Sequence, residues 1–275
     1  MKAYIAVDME GISGVIISEQ LLHGRLFYQE ARRMLVNDTN AVITGALDGG
    51  ADEVVVIDAH ASGFNFMYEE LHPDADYLMG GAHQERFPFL EDSDVMMLVG
   101  YHAMSGTANA VRDHTMSSAS YQDITINGLP AGEIMIDAAI AGAHGVPVGL
   151  VTGDDKACAE ARDLLGDIET AQVKQALGRH AARMLSPQRA RELLQEKARS
   201  AVARGREFTP YTVSPPVTVR IRYNSTDLVD RIYFDGEGCT KIDSRTVEYR
   251  GDSVLKALST AKLIQPYSAP GGDTL

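Results

Sequence analysis

The stretch "AYIAVDMEGISG", residues 3–14, predicts both a fold class and a charged site. Its apolar run, residues 4–7, ends at Asp8, and Glu10 follows just before a glycine. An uninterrupted apolar run is typical of a strand that is covered on both faces in an α/β sheet. Residues 8 and 10 point to the same side of an extended chain, so their like charges repel unless a cation lies between them. The stretch therefore predicts a buried strand that ends at a cation site.

The same pattern continues along the first part of the chain. Four more apolar runs follow, at residues 53–58, 95–101, 124–126 and 146–153. Helical patterns lie between some of these runs, at residues 29–52 and 132–145, and glycines end both of them. This alternation predicts an α/β fold with a mostly parallel or mixed sheet flanked by helices.

A second region begins near residue 186, where the pattern changes. Ser186 and Pro187 begin a helix that Gly205 ends, and three prolines follow it. The remaining predicted elements are a half-exposed strand at 217–223, a short helix at 226–233, a strand at 246–249 and a helix at 252–263. We predict a metal-binding α/β catalytic domain at residues 1–185 and a smaller C-terminal α/β region at residues 186–275.

Composition and charge disfavour several classes of function. The chain has 275 residues, of which 45% are hydrophobic, and a formal net charge of −13. Such an acidic chain repels phosphate backbones and anionic lipids, so we expect neither a nucleic acid nor a membrane as a partner. No apolar stretch approaches the roughly 18 residues that span a bilayer. The two distant cysteines, Cys158 and Cys239, fit no disulfide framework, and we predict a cytoplasmic protein.

Acidic and imidazole side chains follow the predicted strands where ligands bind in open α/β sheets, beyond the carboxyl ends. These residues are Asp8, Glu10, Asp58, His60, His102 and, at the start of the helix after residues 124–126, Glu133. A turn, a helix cap or a core hydrogen bond accounts for any one of them alone. Together they place several carboxylates at one sheet edge, with no Lys or Arg in the motifs "VDMEG", "DAHASG", "GYHA" and "AGE". A metal centre is the simplest source of the missing positive charge.

The types of these side chains narrow the choice of metal. Imidazoles mixed with carboxylates, without a thiolate, suit Zn²⁺, Mn²⁺ or Co²⁺. Five candidate ligands are too many for one catalytic zinc and suit two ions about 3.5–4 Å apart. Asp8 is the predicted bridging carboxylate. Asp58 either orients the imidazole of His60 or is a turn or N-cap residue.

Two further motifs contain candidate residues. His114, in "VRDHTMSSAS", is a candidate for proton transfer near neutral pH, with a surface or core role as the alternative. Asp113 precedes it, and adjacent residues of an extended chain face opposite ways, so the two do not form a dyad. "TGDD", residues 152–155, follows a strand and either caps a helix or lines a pocket, with capping favoured.

The motifs taken in order resemble those of the M55 metallopeptidase family. They are "VDMEGISG", "DAHASGFN", "LHPDADYLMG", "LVGYHA", "DHTM" and "AGE", and the resemblance covers residues 1 to about 190. It implies a dinuclear zinc aminopeptidase that acts on short peptides, with some members preferring D-residues at the N-terminus. It also implies a homo-oligomer, a decamer built from rings whose active sites face an internal channel.

The resemblance assigns roles residue by residue. It implies metal ligands at Asp8, Glu10, His60, His102 and Glu133. It implies that His114 of "DHTM" is the catalytic nucleophile or base. The family's characterised member has serine where this chain has Asp113, so the electrostatics beside His114 differ from the pattern.

Two other functions fit parts of the same pattern. A metallophosphatase or phosphodiesterase uses similar ligands, but it needs Arg or Lys side chains for phosphate, and only Arg112 is near in the sequence. A non-catalytic peptide-binding protein of a transport operon is the other alternative. Metal-assisted amide hydrolysis is the predicted reaction.

Overall fold

The computed structural model of the protein describes residues 1–81, 85–232, 234 and 238–264. The strands are β1 (Lys2–Val7), β2 (Glu53–Asp58), β3 (Asp76–Leu78), β4 (Val95–Val99), β5 (Tyr121–Ile126), β6 (Leu129–Pro130), β7 (Val148–Asp154), β8 (Glu169–Gly178), β9 (Ala181–Met184), β10 (Val217–Tyr223), β11 (Cys239–Lys241) and β12 (Thr246–Gly251). The α-helices are α1 (Tyr28–Asp48), α2 (Glu133–Ala143), α3 (Asp155–Leu165), α4 (Pro187–Ala203), α5 (Thr226–Asp230) and α6 (Val254–Thr260).

Seven strands form the main sheet, in the order β3-β2-β1-β4-β7-β8-β9. All neighbours are parallel except β8 and β9, which are antiparallel. Strand β1 lies inside the sheet, with Val7 paired to Asp58 of β2 on one side and to Val99 of β4 on the other. Its five residues after Lys2 are buried because helices cover both faces of a parallel sheet. The predicted α/β class is confirmed.

A second sheet of five antiparallel strands has the order β11-β12-β10-β5-β6. We expected residues 124–126 in the main sheet, but β5 pairs with β10, with Ile124 opposite Ile221. The reason is that Ile124 and Ile126 are buried on either side of a half-buried threonine, which is the alternation of a one-sided sheet. This sheet joins strands from before and after residue 186, and the division of the chain at that residue stays a prediction.

The long helices α1 and α4 pack against each other beside the main sheet. Glycine permits their close approach: a Cβ atom at Gly45 would lie 2.2 Å from the carbonyl oxygen of Gln195. Helix α4 begins with Pro187 at its first position, as predicted, although Ser186 forms no side-chain capping bond. Among the described residues, no helix is both long enough and apolar enough to cross a membrane.

The carboxyl ends of three adjacent parallel strands, β2, β1 and β4, meet at one edge of the main sheet. Residue His60 follows β2, Asp8 and Glu10 follow β1, and His102 follows β4. Helix α2 begins at Glu133, immediately after β6 of the second sheet. The two sheets therefore supply the site together.

Candidate metal centre

The first group of candidate ligands surrounds the end of β1. The Nδ1 atom of His60 lies 3.1 Å from Oδ1 of Asp8 and 3.0 Å from Oε2 of Glu10. All three side chains are buried. Their potential ligand atoms lie within 4.8 Å of one another, which is compatible with a single cation between them.

The second group lies on the other side of Asp8. The Nε2 atom of His102 is 3.4 Å from Oδ2 of Asp8 and 3.1 Å from Oε1 of Glu133. Asp8 thus directs one carboxylate oxygen to each group, which is the position expected of a bridging ligand. The Nε2 atom of His114 lies 3.9 Å from Oε1 of Glu10 and 3.7 Å from Oε1 of Glu133, and the potential ligand atoms of His102, His114 and Glu133 lie within 4.8 Å of one another. The structure brings all six predicted site residues together.

Backbone carbonyls select which nitrogen of each imidazole faces the site. The contacts are Nε2 of His60 with Leu21 O at 3.3 Å, Nδ1 of His102 with Ala103 O at 3.1 Å, and Nδ1 of His114 with Arg112 O at 2.9 Å. A carbonyl only accepts, so the nitrogen beside it carries the proton. In the neutral form of each ring, the opposite nitrogen faces the site and can supply its lone pair to a metal.

Asp58 makes the contacts of a turn residue. Its carboxylate accepts hydrogen bonds from the backbone N–H and the side-chain amide of Asn65, and that amide also donates to the carbonyl of His60. The carbonyl of Leu21, rather than Asp58, contacts the ring of His60. Of the two sequence-based interpretations of Asp58, the turn is the one that the structure supports.

Two carboxylates hold the loop that carries His114. Asp154 caps α3, as predicted for "TGDD", by accepting from the backbone N–H groups of Lys156 and Ala157. Its other oxygen accepts from the backbone N–H of Val111 at 2.8 Å. The carboxylate of Asp113 pairs with Arg179 and accepts a hydrogen bond from the backbone N–H of Gly106 at 2.9 Å. These contacts engage Asp113 outside the cluster of candidate ligands.

The buried carboxylates and imidazoles of the cluster shift one another's pKa values. Burial, reinforced by the neighbouring Glu10 carboxylate, raises the pKa of Asp8 to about 7. Burial alone would lower the pKa of His102, but the Glu133 carboxylate raises it to about 10. Burial alone would raise the pKa of Glu133, but the neighbouring His102 lowers it to about 2. For His114, burial and the adjacent His102 lower the pKa. The carboxylates favour protonation of the His60 and His102 imidazoles. Divalent cations bound in the cluster would take the place of those protons.

Unpartnered polar atoms show where a metal fits. Three buried atoms, Oδ2 of Asp8, Oε2 of Glu10 and Nε2 of His102, form no hydrogen bond of regular geometry among the described residues, although polar atoms of the cluster lie 3.0–3.4 Å from them. A buried acceptor without a partner is costly, and native proteins seldom retain one without an ion or a water. Two carboxylate oxygens and an imidazole nitrogen are also the donor types that zinc prefers. The residues present therefore fit a zinc centre.

The end of β4 packs directly against the loop after β1. Gly100 has a φ of +73°, in the left-handed region, and a Cβ atom there would lie 2.3 Å from the carbonyl oxygen of Asp8. The backbone N–H of Gly11 donates to the carbonyl of Gly100 at 2.6 Å. Glycine at position 100 therefore lets the chain that carries His102 approach the chain that carries Asp8.

A buried lysine, which the sequence analysis missed, supports the same loop from below. The ammonium of Lys174, on β8, donates to the carbonyl oxygens of Glu10 at 2.6 Å, Ile12 at 3.0 Å and Val15 at 2.7 Å. Lys174 is only 1% exposed, and burial lowers its pKa to about 8. It holds the backbone that positions Glu10, because its three donors satisfy three carbonyls of one turn.

Replacing Lys174 by methionine is expected to lower the free energy of unfolding by about 3 kcal/mol, since three buried carbonyls lose their donor. Chemical denaturation of the two proteins measures the difference. Lys156→Met is the matched control, because Lys156 lies at the surface beside Asp155 and its loss should leave stability unchanged. Equal stability of Lys174→Met and the wild type would show that water replaces the ammonium.

A second missed cation lies beside Glu133. The guanidinium of Arg86 donates to both oxygens of Asp137, at 2.6 and 3.0 Å, and its Nη2 lies 3.9 Å from Oε2 of Glu133. The hydroxyl of Tyr101 donates to the same carboxylate at 2.6 Å. Asp137 lies one helical turn after Glu133 on α2, so this network fixes the start of the helix. Arg86, rather than Arg112, is the arginine that lines the pocket.

The metal centre opens into a pocket of about 430 Å³. This volume lies in the range of small-molecule sites. One wall comes from the main sheet and includes Asp8, Glu10, His60 and residues 57–59. Other parts of the lining come from residues 116–121 and from Lys262 and Leu263, which follow α6. The pocket therefore lies between the edge of the main sheet and the second sheet.

A parallel sheet whose strand ends carry buried carboxylates and imidazoles at bonding distance defines a metallohydrolase of the α/β class. The family model of the M55 peptidases, described as D-aminopeptidase, matches residues 1–263. The chain belongs to this family, and it is a peptidase.

Individual relatives agree with this assignment. A D-aminopeptidase of Bacillus subtilis (strain 168) is 33% identical over 261 residues, which cover 94% of each chain. The solved structure of the Zn-dependent D-aminopeptidase DppA from Bacillus subtilis, described as a self-compartmentalizing protease, superposes with a TM-score of 0.88. The two share 31% identity over 96% of each chain. The sequence-based resemblance is confirmed.

Proposed function

We propose that this protein is a zinc-dependent aminopeptidase with two metal ions in each subunit. Asp8, Glu10 and His60 would hold one ion, and His102 and Glu133 would hold the other, with Asp8 as the carboxylate that both groups would share. The observation that carries this proposal is that these five side chains and His114 lie close together, and that three of their buried ligand atoms form no regular hydrogen bond among the described residues. The Zn dependence of the similar DppA structure supports zinc over Mn²⁺ or Co²⁺.

Zinc bound at this centre supplies Lewis acidity, which polarises a scissile carbonyl and lowers the pKa of a nearby water. The chain's own residues orient the reaction and move the protons. His114 holds its Nδ1 proton against the carbonyl of Arg112 and directs Nε2 towards Glu10 and Glu133. That nitrogen accepts a proton from the attacking water and returns it to the leaving amine. Direct attack by His114 is the alternative.

The proposed substrates are short peptides with a free N-terminus. A free α-amino group is cationic, and the buried carboxylates of the centre favour it. The pocket of about 430 Å³ is the size of a small-ligand site rather than a groove for a folded chain. The relatives are named D-aminopeptidases, so D-residues are the first configuration to test. A homo-oligomer, with a decamer as the family-based expectation, would be consistent with the self-compartmentalizing description of DppA.

Removal of metal is expected to abolish the activity reversibly. The assay compares release of the N-terminal residue from D-Ala-D-Ala and L-Ala-L-Ala before and after treatment with a chelator. Turnover should vanish with the metal and return when zinc is added, because the carboxylates and imidazoles are already in place in the folded chain. Metal analysis of the purified protein should give about two zinc ions per subunit.

Other outcomes separate the alternatives. Chelator-insensitive turnover, or no release of N-terminal residues from either peptide, would contradict the peptidase centre proposed here. The phosphatase alternative finds less support, because Asp137 already engages the arginine of the pocket and leaves Lys262 as the one other Lys or Arg in the described lining that could bind phosphate. Hydrolysis of a phosphate ester in preference to the peptides would favour that alternative instead.

A further inference from the structure

The described lining of the pocket includes one arginine and one lysine, Arg86 and Lys262, and they differ in availability. Arg86 donates two hydrogen bonds to Asp137 and is held against the start of α2. Lys262 also lines the pocket, is exposed, and makes no salt bridge with any residue that the structure describes. It is the group in this pocket that remains available to an anion.

The backbone at Lys262 is unusual for lysine. The N–H of Leu263 donates to Leu258 O at 2.9 Å, and the N–H of Lys262 donates to Ser259 O at 2.9 Å. These two bonds form a Schellman motif, which ends a helix with one residue in the left-handed region. Lys262 is that residue, with a φ of +58°, a position that glycine usually occupies. Lysine here carries a conformational cost that glycine would avoid, so a role for its side chain is the expected compensation.

The turn fixes the position of the Lys262 backbone, from which its side chain extends. Leu263, the next residue, is 1% exposed and belongs to the hydrophobic core, so the end of α6 is anchored. Helix α6 packs on α2, the helix that begins with Glu133. Lys262 therefore follows a helix that packs on α2, and it is one of the residues that line the pocket.

We infer that Lys262 is a specificity-determining residue that binds the C-terminal carboxylate of a dipeptide whose N-terminal residue is held at the metal centre. This inference rests on the proposed function and adds the substrate class, namely dipeptides with a free carboxylate. A short substrate carries opposite charges at its two ends, and the lining of the pocket includes both the carboxylates of the metal centre and the ammonium of Lys262. Charge-assisted hydrogen bonds of this kind are stronger than neutral ones and set orientation as well as affinity.

The test compares cleavage of Ala-Ala with cleavage of its C-terminal amide. Both are used in the configuration of alanine that the enzyme cleaves. The wild type should prefer the acid by about 10-fold in kcat/KM, the lower end for a hydrogen bond between charged groups. Lys262→Gly should bring this ratio close to one, mainly through a higher KM for the acid. Glycine adopts the left-handed conformation without strain, so this variant removes the ammonium while keeping the turn. Lys262→Glu should invert the ratio.

Lys256→Met is the matched control, because Lys256 is an exposed lysine of the same helix that does not line the pocket. It should keep the wild-type ratio. An Ala-Glu amide, whose carboxylate is on the side chain, distinguishes the two sources of a carboxylate. A preference for that amide over the Ala-Ala acid would overturn the assignment to the C-terminus.

The inference is overturned if the wild type cleaves acid and amide equally well, or if Lys262→Gly keeps the preference for the acid. Equal losses on both substrates in Lys262→Gly would also overturn it, because they indicate a structural role. In all three cases, zinc-dependent cleavage of the amide leaves the proposed function standing. A protein that cleaves neither substrate contradicts the proposed function, and the inference falls with it.

Discussion

Asp8→Asn is expected to lower zinc affinity by more than about 100-fold. Substitution of a residue that only supports the ligands costs up to about 100-fold, and substitution of a ligand should cost more. Asparagine keeps the shape of the side chain but loses the negative charge and one of the two acceptor oxygens. Because Oδ1 of Asp8 faces His60 and Oδ2 faces His102, a single substitution weakens both halves of the centre. Peptidase activity should fall by about 10³-fold or more, as several kcal/mol of transition-state stabilisation are lost.

Metal analysis after dialysis at a fixed free zinc concentration, together with kcat/KM, measures this effect. Asp38→Asn is the matched control, since Asp38 is an equally buried carboxylate outside the cluster that accepts from Ser13 N and Ser13 Oγ. It should affect stability but not zinc content. If Asp8→Asn loses one zinc ion and keeps the other at full affinity, Asp8 is a terminal ligand of one ion and not the bridge.

The position of the site was predictable from the sequence because parallel strands end at a common edge. Asp8, His60 and His102 follow three strands that are neighbours in the sheet, although up to 94 residues separate them in the chain. Short apolar runs that end in a carboxylate or an imidazole therefore predict proximity without any knowledge of the fold's details. The metal-binding roles remain proposals, but the convergence on which they depend is observed.

The supporting cations were not predictable by the same reasoning. Lys174 lies in β8, whose sequence "ETAQVKQALG" shows no continuous apolar run, and its contacts lie about 160 residues away in the chain. Arg86 lies in a loop without periodicity. The motifs contain no Lys or Arg, yet the fold places one ammonium under the loop of Glu10 and one guanidinium beside Glu133. Local composition therefore underestimates charge compensation over long distances.

The assignment of residues 124–126 to the main sheet was wrong for a related reason. A run of three apolar or β-branched residues is too short to distinguish a strand covered on both faces from one covered on a single face. Pairing with β10 decided the matter, because the alternating pattern of "VTVRIRY" supplies a complementary one-sided partner. Glu133 still reaches the predicted edge, since the turn after β6 delivers the start of α2 there.

His114→Ala is expected to lower kcat by about 10²- to 10⁴-fold, the range for loss of a general acid or base, while zinc content stays at the wild-type level. The ring of His114 stacks on that of His102 with centroids 4.0 Å apart and an angle of 8° between the planes. Alanine therefore leaves a space the size of an imidazole beside an otherwise complete ligand set. Added imidazole should restore part of the turnover if His114 acts by transferring protons.

His72→Ala is the matched control, because His72 is a partly buried histidine whose Nδ1 accepts from Asp74 N and which does not line the pocket. It should keep full activity. Loss of zinc in His114→Ala would show that His114 is a metal ligand, which its distances of 3.9 and 3.7 Å to Glu10 and Glu133 also permit geometrically. A burst of product in the wild type, with an acyl group trapped on His114, would instead favour direct attack, because proton transfer alone leaves no covalent intermediate.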